Sequence, residues 1–319
     1  MKEILVTGGA GFIGTNFVDF VLRKTDWKIR VLDNLYARAF DAVKNLDSFD
    51  GGGVELLEGD IRDEETVKKV VEGCDYVVNL AAQVGVVPSV KDPKFDADVN
   101  IFGLLNLLEA SKDENVKRFV QASSAAPLGE VEPPVSEEDV PRPLAPYGAS
   151  KLSGEGYCSA YAGSFGLNTV ALRFSNVYGP HSLHKESVVH KFIRRILEGE
   201  ELFVYGDGEQ TRDYIQVKDI CRGIYLALKT ELEGFELLQL GTGEETSVND
   251  LIKYLQSIVE SKEMEFPEVV KKEEREGEIR RNFADISKAK EVLGFEPSVG
   301  IEEGLRETLE WHLRNEDKL

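Results

Sequence analysis

The chain has 319 residues, of which 42% are apolar, enough to bury a substantial core in one or two domains. Its net charge of −20 argues against nucleic acid or an anionic membrane surface as a partner. The three cysteines are widely spaced and form no metal-like pair, and no apolar run approaches the ~20 residues of a membrane span. The cysteine pattern leads us to expect a reduced cytoplasmic protein with no metal site. Because the sequence begins directly with a strand pattern, we also expect no signal peptide.

The first predicted elements are a strand, a glycine turn and a helix. The buried run at residues 4–7 meets Gly8, Gly11 and Gly14, whose spacing is G-x-x-G-x-x-G, and Gly9 completes G-x-G-x-x-G within the same turn. Glycines without Cβ atoms let backbone N–H groups approach a pyrophosphate at the helix N-terminus. Tight strand-to-helix turns also use glycine for purely structural reasons, but here the strand and helix that the motif requires are both present.

The second predicted strand, residues 28–32, ends at Asp33. This acid lies about 20 residues beyond the last glycine, where a carboxylate binds the adenosine ribose hydroxyls. It would repel a 2′-phosphate, so the sequence favours NAD over NADP. A solvated aspartate at a strand end is the alternative, and the nearby Arg38 weakens the distinction.

Strands and helices then alternate, which predicts an α/β fold with a Rossmann-type, doubly wound parallel sheet. The predicted strands are residues 54–57, 76–80, 119–122, 169–174 and 237–240. The predicted helices are residues 64–72, 97–112 and 147–165. Residues 130–146 predict a stiff loop rich in proline and acid. We expect a dinucleotide-binding domain of residues 1–175 plus about 214–243, and a smaller, mainly C-terminal substrate lobe of residues 176–213 and 244–319.

Tyr147 and Lys151 form a Tyr-x-x-x-Lys pair, which places both side chains on one face of a helix. An ammonium near a phenol favours the phenolate, so we expect Lys151 to lower the pKa of Tyr147 and make it a usable base. Ser124 ends a strand upstream and would hydrogen-bond a reacting hydroxyl or carbonyl. A surface pair and a turn-capping serine are the structural alternatives.

Together these motifs resemble the extended short-chain dehydrogenase/reductases, and within them the UDP-glucose 4-epimerases and related nucleotide-sugar epimerases. The resemblance covers nearly the whole chain. The matching segments are residues 7–14, 59–61, 79–83, 123–126, 146–151, 172–180, 206–214 and 275–278.

The resemblance implies the role of individual residues. It implies that Ser124, Tyr147 and Lys151 are catalytic, with Lys151 also holding the nicotinamide ribose. The residues that it assigns to NAD, together with Tyr147 and Lys151, are Gly8, Gly11, Phe12, Ile13, Gly14, Asp33, Asn34, Asp60, Ile61, Leu80, Ala81, Ala82 and Asn100. The residues that it assigns to the UDP-sugar, with Ser124, are Asn176, Val189, Arg212, Arg275 and Asn282.

Two positions depart from the family pattern. Pro127-Leu128-Gly129 replaces the usual Val-Tyr-Gly, so the site wall lacks a tyrosine. Asn282 stands where a bulky tyrosine is associated with restriction to glucose and galactose, which favours a roomier pocket that accepts N-acetylated sugars. A neighbouring side chain that refills the space is the alternative.

The implied reaction is 4-epimerisation of a UDP-hexose. Tyr147 removes the 4-hydroxyl proton, and a hydride passes from C4 to NAD. The keto sugar then rotates in the site, so that the hydride returns to its opposite face. Dehydratases and decarboxylases of the family carry acids after the catalytic hydroxyl residue, where this chain has Ala125-Ala126. UDP-glucuronate 4-epimerisation stays open, with Ser175, Ser182, His184, Lys185 and Ser187 as candidates for binding the sugar carboxylate. A non-enzymatic binding protein is disfavoured, because such proteins tend to lose the tyrosine or lysine.

The resemblance also implies a homodimer formed through the helices at residues 97–112 and 147–165. The apolar residues 104, 105, 107 and 108 fit either such an interface or packing on the sheet.

Overall fold

The computed structural model describes residues 1–36, 53–183, 185–274 and 279–315. The strands are β1 Glu3–Thr7, β2 Lys28–Asp33, β3 Val54–Glu58, β4 Tyr76–Asn79, β5 Arg118–Ser124, β6 Thr169–Phe174, β7 Asn176–Tyr178, β8 Leu202–Tyr205, β9 Thr211–Arg212, β10 Tyr214–Gln216, β11 Phe235–Leu240, β12 Thr246–Ser247 and β13 Val269–Lys272. The α-helices are α1 Phe12–Lys24, α2 Glu64–Val71, α3 Val86–Lys91, α4 Pro93–Ala97, α5 Leu104–Asp113, α6 Pro146–Phe165, α7 Val188–Glu198, α8 Val217–Lys229, α9 Val248–Glu260, α10 Ser287–Leu293 and α11 Ile301–Arg314.

Seven strands form one parallel sheet in the order β3-β2-β1-β4-β5-β6-β11. The direction of winding reverses between β1 and β4, and ligands of such sheets bind where the strands end at this reversal. All the predicted strands lie in this sheet, so the predicted Rossmann-type fold is confirmed. The near-continuous burial of the central strands β1, β4, β5 and β6 explains why they read as apolar runs.

Three apolar clusters fill the molecule. One packs α1 and α8 against one face of the large sheet, and a second packs α2, α5 and α6 against the other face. The third joins α7, α9 and α11 around residues such as Ile193, Leu255 and Leu305. Three two-stranded pairs, β7–β10, β8–β13 and β9–β12, lie beside this third cluster in the later part of the chain.

Two predicted helices differ at their start. The one predicted from residue 97 begins with a π-helical turn at Asp98–Gly103 before α5. Within that turn the side chain of Asn100 bonds the backbone of Gln83, a tertiary contact that no helical periodicity predicts. The helix predicted from residue 147 begins one residue earlier, at Pro146, which suits the first position of a helix because it has no N–H.

Candidate active site

A cavity of about 1550 Å³ opens over the carboxyl ends of the large sheet. Ligand pockets usually hold about 300–1,000 Å³, so this one has room for two ligands side by side. Its walls come from the glycine turn, the ends of β2, β4 and β5, the start of α6, and the residues between β7 and α7.

The glycine turn forms a floor without side chains. A Cβ on Gly14 would lie 2.2 Å from the carbonyl oxygen of Gly8, and one on Gly8, where φ is +67°, would lie 2.6 Å from the nitrogen of Ala81. Helix α1 starts directly after Gly11, so its first N–H groups face the cavity. This is the geometry of a phosphate site at a helix N-terminus.

At the far edge of the cavity, two carboxylates follow strands β2 and β3. Asp33 accepts hydrogen bonds from the backbone N–H groups of Ala10 (3.0 Å) and Leu35 (2.8 Å), which fix it beside the glycine turn, and burial raises its pKa. Asp60 accepts a bond from the Asn34 amide at 3.0 Å. Hydrogen bonds from Arg62 hold the pKa of Asp60 at about 2. The structure thus brings the predicted adenosine-binding residues together, while Arg38 lies outside the described residues.

Ser124, Tyr147 and Lys151 meet in the middle of the cavity wall. Strand β5 ends at Ser124, whose hydroxyl forms a hydrogen bond with Tyr147. Lys151 follows one turn later on α6 and donates from Nζ to the carbonyl oxygen of Ala122 at 3.0 Å. Helix α6 is therefore held to the end of β5 at two successive turns.

The pKa values of this pair differ from the sequence expectation. Burial raises the pKa of Tyr147 to about 12, against the lowering effect of the Ser124 hydrogen bond. Burial lowers the pKa of Lys151 to about 8, opposed by the charges of Asp96 and Glu155. The Lys151 ammonium lies 5.8 Å from the Tyr147 ring centroid and points at a backbone carbonyl. Desolvation, which sequence spacing does not reveal, therefore outweighs the attraction between ammonium and phenolate.

Most of the predicted residues line the cavity. Those that do are Gly8, Gly11, Phe12, Ile13, Gly14, Asp33, Asn34, Asp60, Ile61, Leu80, Ala81, Ala82, Ser124, Tyr147, Lys151, Asn176, Val189 and Arg212. Asn100 lies behind the wall, and Asn282 is half-buried but is not a lining residue. Arg275 and His184 lie outside the described residues.

Sequence reasoning missed part of the opposite wall. Trp311 of α11 lines the cavity beside His181, with their ring centroids 5.1 Å apart, although it lies far along the chain from every motif. Val84, Val86 and Val87 form an apolar stretch at the cavity mouth and are each more than half exposed. The valines directly follow the Asn79–Gln83 motif, and this proximity in sequence could have indicated that they line the cavity.

Among the described residues, no cluster of three His, Cys, Asp or Glu side chains is arranged to hold a metal ion. No helix in the described ranges has the length and apolar character needed to cross a membrane.

Known proteins resemble this fold and site. The family model described as GDP-mannose 4,6 dehydratase matches residues 5–308. The chain therefore belongs to this family of extended short-chain dehydrogenase/reductases. It is 35% identical to a putative UDP-glucose 4-epimerase of Methanocaldococcus jannaschii, over 98% of this chain and 99% of the relative.

Solved structures of other proteins also match this chain over nearly its whole length. A UDP-glucose 4-epimerase of Thermotoga maritima, solved with UDP-glucose, matches with a TM-score of 0.89 and 38% identity, covering 98% of this chain and 99% of the other. A UDP-glucuronic acid 4-epimerase of Bacillus cereus, solved with UDP-glucuronic acid and NAD, matches with a TM-score of 0.89 and 31% identity over 98% and 99%.

Proposed function

We propose that the protein is an NAD-dependent 4-epimerase of UDP-hexoses. The observation that carries this is the convergence of Ser124, Tyr147 and Lys151 with the glycine floor on one cavity large enough for a dinucleotide and a nucleotide sugar. The full-length similarity to enzymes named as UDP-sugar 4-epimerases supports the reaction. The substrate is UDP-glucose or UDP-galactose, with N-acetylated UDP-hexosamines as further candidates.

The residues present fit NAD. The backbone around Gly8 and Gly14 leaves no space for a Cβ but exposes N–H groups, which suits a pyrophosphate. Asp33 offers a carboxylate for ribose hydroxyls and would repel a 2′-phosphate. Ile61, Leu80 and the other predicted contacts except Asn100 line the same cavity. NAD bound there would supply a reversible hydride acceptor for C4 of the sugar.

The chain's own residues would handle the proton and the positioning. The Tyr147 phenolic oxygen accepts the proton of the sugar 4-hydroxyl and returns it at the end of the cycle. Ser124 hydrogen-bonds that oxygen and Tyr147 at once, which fixes the direction of transfer. Lys151 stabilises the phenolate by its charge and, held by Ala122, stays beside Tyr147.

The other half of the cavity would bind the UDP group. Arg212 and Asn176 line it, and an arginine fork matches phosphate oxygens in this acidic protein. Arg275 would add a second arginine, as the family motif implies. We propose that residues 176–213 and 244–319 form this substrate lobe, built on the third apolar cluster, and that residues 1–175 with about 214–243 form the dinucleotide-binding domain.

UDP-glucuronate is the second candidate substrate, and Lys185 favours it. Its ammonium lies 4.5 Å from the centroid of the Phe12 ring at the cavity wall, and no ion pair to it is found within the described ranges. Burial lowers its pKa to about 8, so it is a cation at neutral pH that an incoming carboxylate would stabilise. Ser182 and Ser187 line the same stretch.

Lys185→Met separates the two substrates. It removes the charge but keeps the apolar stem, so we expect a KM for UDP-glucuronate raised by about tenfold or more, the loss of one charge-assisted contact. The KM for UDP-glucose should change little. Equal effects on both substrates would remove Lys185 as the carboxylate-binding group.

Two wider assignments belong to the same proposal. The exposed side chains of Phe102 and Tyr157 on the π-helical turn and α6 support a homodimer through these helices, which light scattering of the purified protein tests. A monomer at working concentration would reject it.

We also propose a cytoplasmic location, since Cys74, Cys158 and Cys221 are free and buried, as in proteins of reducing compartments.

The experiment that tests the mechanism is Tyr147→Phe. The change removes the phenolic oxygen alone, so turnover of UDP-glucose should fall by at least about 10²-fold, the usual contribution of a general base. Bound NAD, measured in an acid extract of the purified protein, should remain. Turnover at the parent rate would contradict the mechanism. Phe165→Leu, at an exposed position on the same helix, serves as the control and should keep the parent turnover.

A further inference from the structure

Asp96 is a buried acid next to the catalytic pair that the mechanism above does not use. It lies in α4 and is 1% exposed. Its Oδ1 accepts a hydrogen bond from the Asn100 amide at 3.1 Å, while Oδ2 has no hydrogen-bond partner in the described structure. A buried carboxylate oxygen without a partner is costly, so its retention calls for a physical explanation.

Asn100 connects this acid to the helix that carries the pair. Its Nδ2 also donates to the carbonyl oxygen of Gln83 (2.9 Å) and to Oγ of Ser150 (3.1 Å). Ser150 in turn donates to the backbone carbonyl of Tyr147 at 3.1 Å. Three hydrogen bonds thus link Asp96 to the first turn of α6, where Tyr147 lies.

The charges around Lys151 come from three elements. On its own helix, Glu155 lies one turn later, but Arg173 of β6 holds both of its oxygens at 2.7–2.8 Å. Glu155 nevertheless adds to the negative charge that favours the ammonium form of Lys151. Asp96 of α4 has no ion-pair partner within the described ranges, and its charge opposes the effect of burial on the pKa of Lys151 more strongly than that of Glu155 does. The same charge also acts on Tyr147.

We propose that Asp96 is a positioning residue that holds Asn100 through Oδ1 and whose negative charge keeps Lys151 an ammonium in its dry surroundings. The inference rests on the proposed function for the assignment of Tyr147 and Lys151 as the reacting pair. Asp96 touches neither substrate nor cofactor and acts through these two side chains.

The direction in which Asp96 shifts the pKa values of Lys151 and Tyr147 follows from its negative charge. A negative charge favours the protonated form of both neighbours, so it raises the pKa of Lys151, against the burial that lowers it to about 8, and also that of Tyr147. Removing the charge lowers both values. Both limbs of a pH–rate profile then move to lower pH, whereas a merely loosened structure lowers the rate without moving either limb.

The test uses Asp96→Asn and Asp96→Ser in the full-length protein. The serine variant avoids burying a second amide N–H group if the asparagine fits poorly. Asp113→Asn is the matched control, because it removes the same charge from an exposed position at the end of α5. Labelling lysine at 13Cε follows Lys151 by NMR, and the signal is assigned by its loss in Lys151→Met.

The midpoint for Lys151 should fall by about one pH unit in both Asp96 variants and stay in place in Asp113→Asn. The limbs of kcat/KM should move in the same direction. An unchanged or raised midpoint in a folded variant overturns the proposal, as does failure of both variants to fold, which would make Asp96 a purely structural residue. The lysine titration needs no substrate. Failure of this proposal can therefore be told apart from failure of the proposed function, in which the parent protein would epimerise no UDP-sugar.

Discussion

Replacing Gly14 by alanine tests the glycine floor directly. Gly14 lies inside α1, where alanine normally stabilises a helix by about 1 kcal/mol relative to glycine. Here the added Cβ would lie 2.2 Å from the carbonyl oxygen of Gly8 and 2.5 Å from the Cα of Gly9. Both are backbone atoms, so no side chain can rotate away.

The size of the effect follows from those distances. To reach ordinary contact, the turn and the helix must separate by about 1.2 Å, which moves the N–H groups that would hold the pyrophosphate. Overpacking of this kind costs about 1–3 kcal/mol, so it cancels or exceeds the gain in helix propensity. We expect a lower melting temperature and the loss of most co-purifying NAD.

Gly11→Ala is the comparison. Its Cβ would meet only the Gly8 carbonyl oxygen, at 3.2 Å, so the fold should keep its stability even if the new methyl group hinders the dinucleotide. Differential scanning calorimetry and NAD content of the purified variants separate the two effects. If Gly14→Ala retains full NAD and an unchanged melting temperature, the close-approach argument is wrong.

Two other predictions concern the catalytic pair and its support. The working form has one proton shared between Tyr147 and Lys151, so kcat/KM should rise with pH until the pair loses its first proton near pH 8 and should fall again only as the second is lost near pH 12. A plateau that begins below pH 6 would contradict these pKa values. Glu155→Gln leaves the buried guanidinium of Arg173 without its counter-charge and should cost about 3–5 kcal/mol in urea unfolding, while the double change with Arg173→Met should recover much of it. A loss below about 1 kcal/mol would show that the pair contributes little.

The fold was predictable because its signals are local. The central strands β1, β4, β5 and β6 are buried almost throughout and so read as apolar runs. The positions of Gly8 and Gly14 reflect a turn that excludes side chains. The convergence of Ser124, Tyr147 and Lys151 on one cavity was predictable for a similar reason, since one strand end and one helix face carry all three.

The electrostatics were not predictable, because they depend on what packs around each group. The Tyr-x-x-x-Lys spacing indicates proximity but not desolvation, which decides the pKa of both residues. Trp311 reaches the cavity from the last described helix, and Asn100 in the π-helical turn makes a long-range contact with Gln83. The predicted role of Asn282 stays a prediction, with its side chain outside the cavity lining.

The most direct test of the central claim is to incubate the purified protein with UDP-glucose, UDP-N-acetylglucosamine and UDP-glucuronate separately, with no added cofactor, and to follow the anomeric protons by NMR. The account predicts that a C4 epimer appears from at least one of them, driven by NAD that stays bound through each cycle. No epimer from any of the three, even after NAD is added, would contradict it.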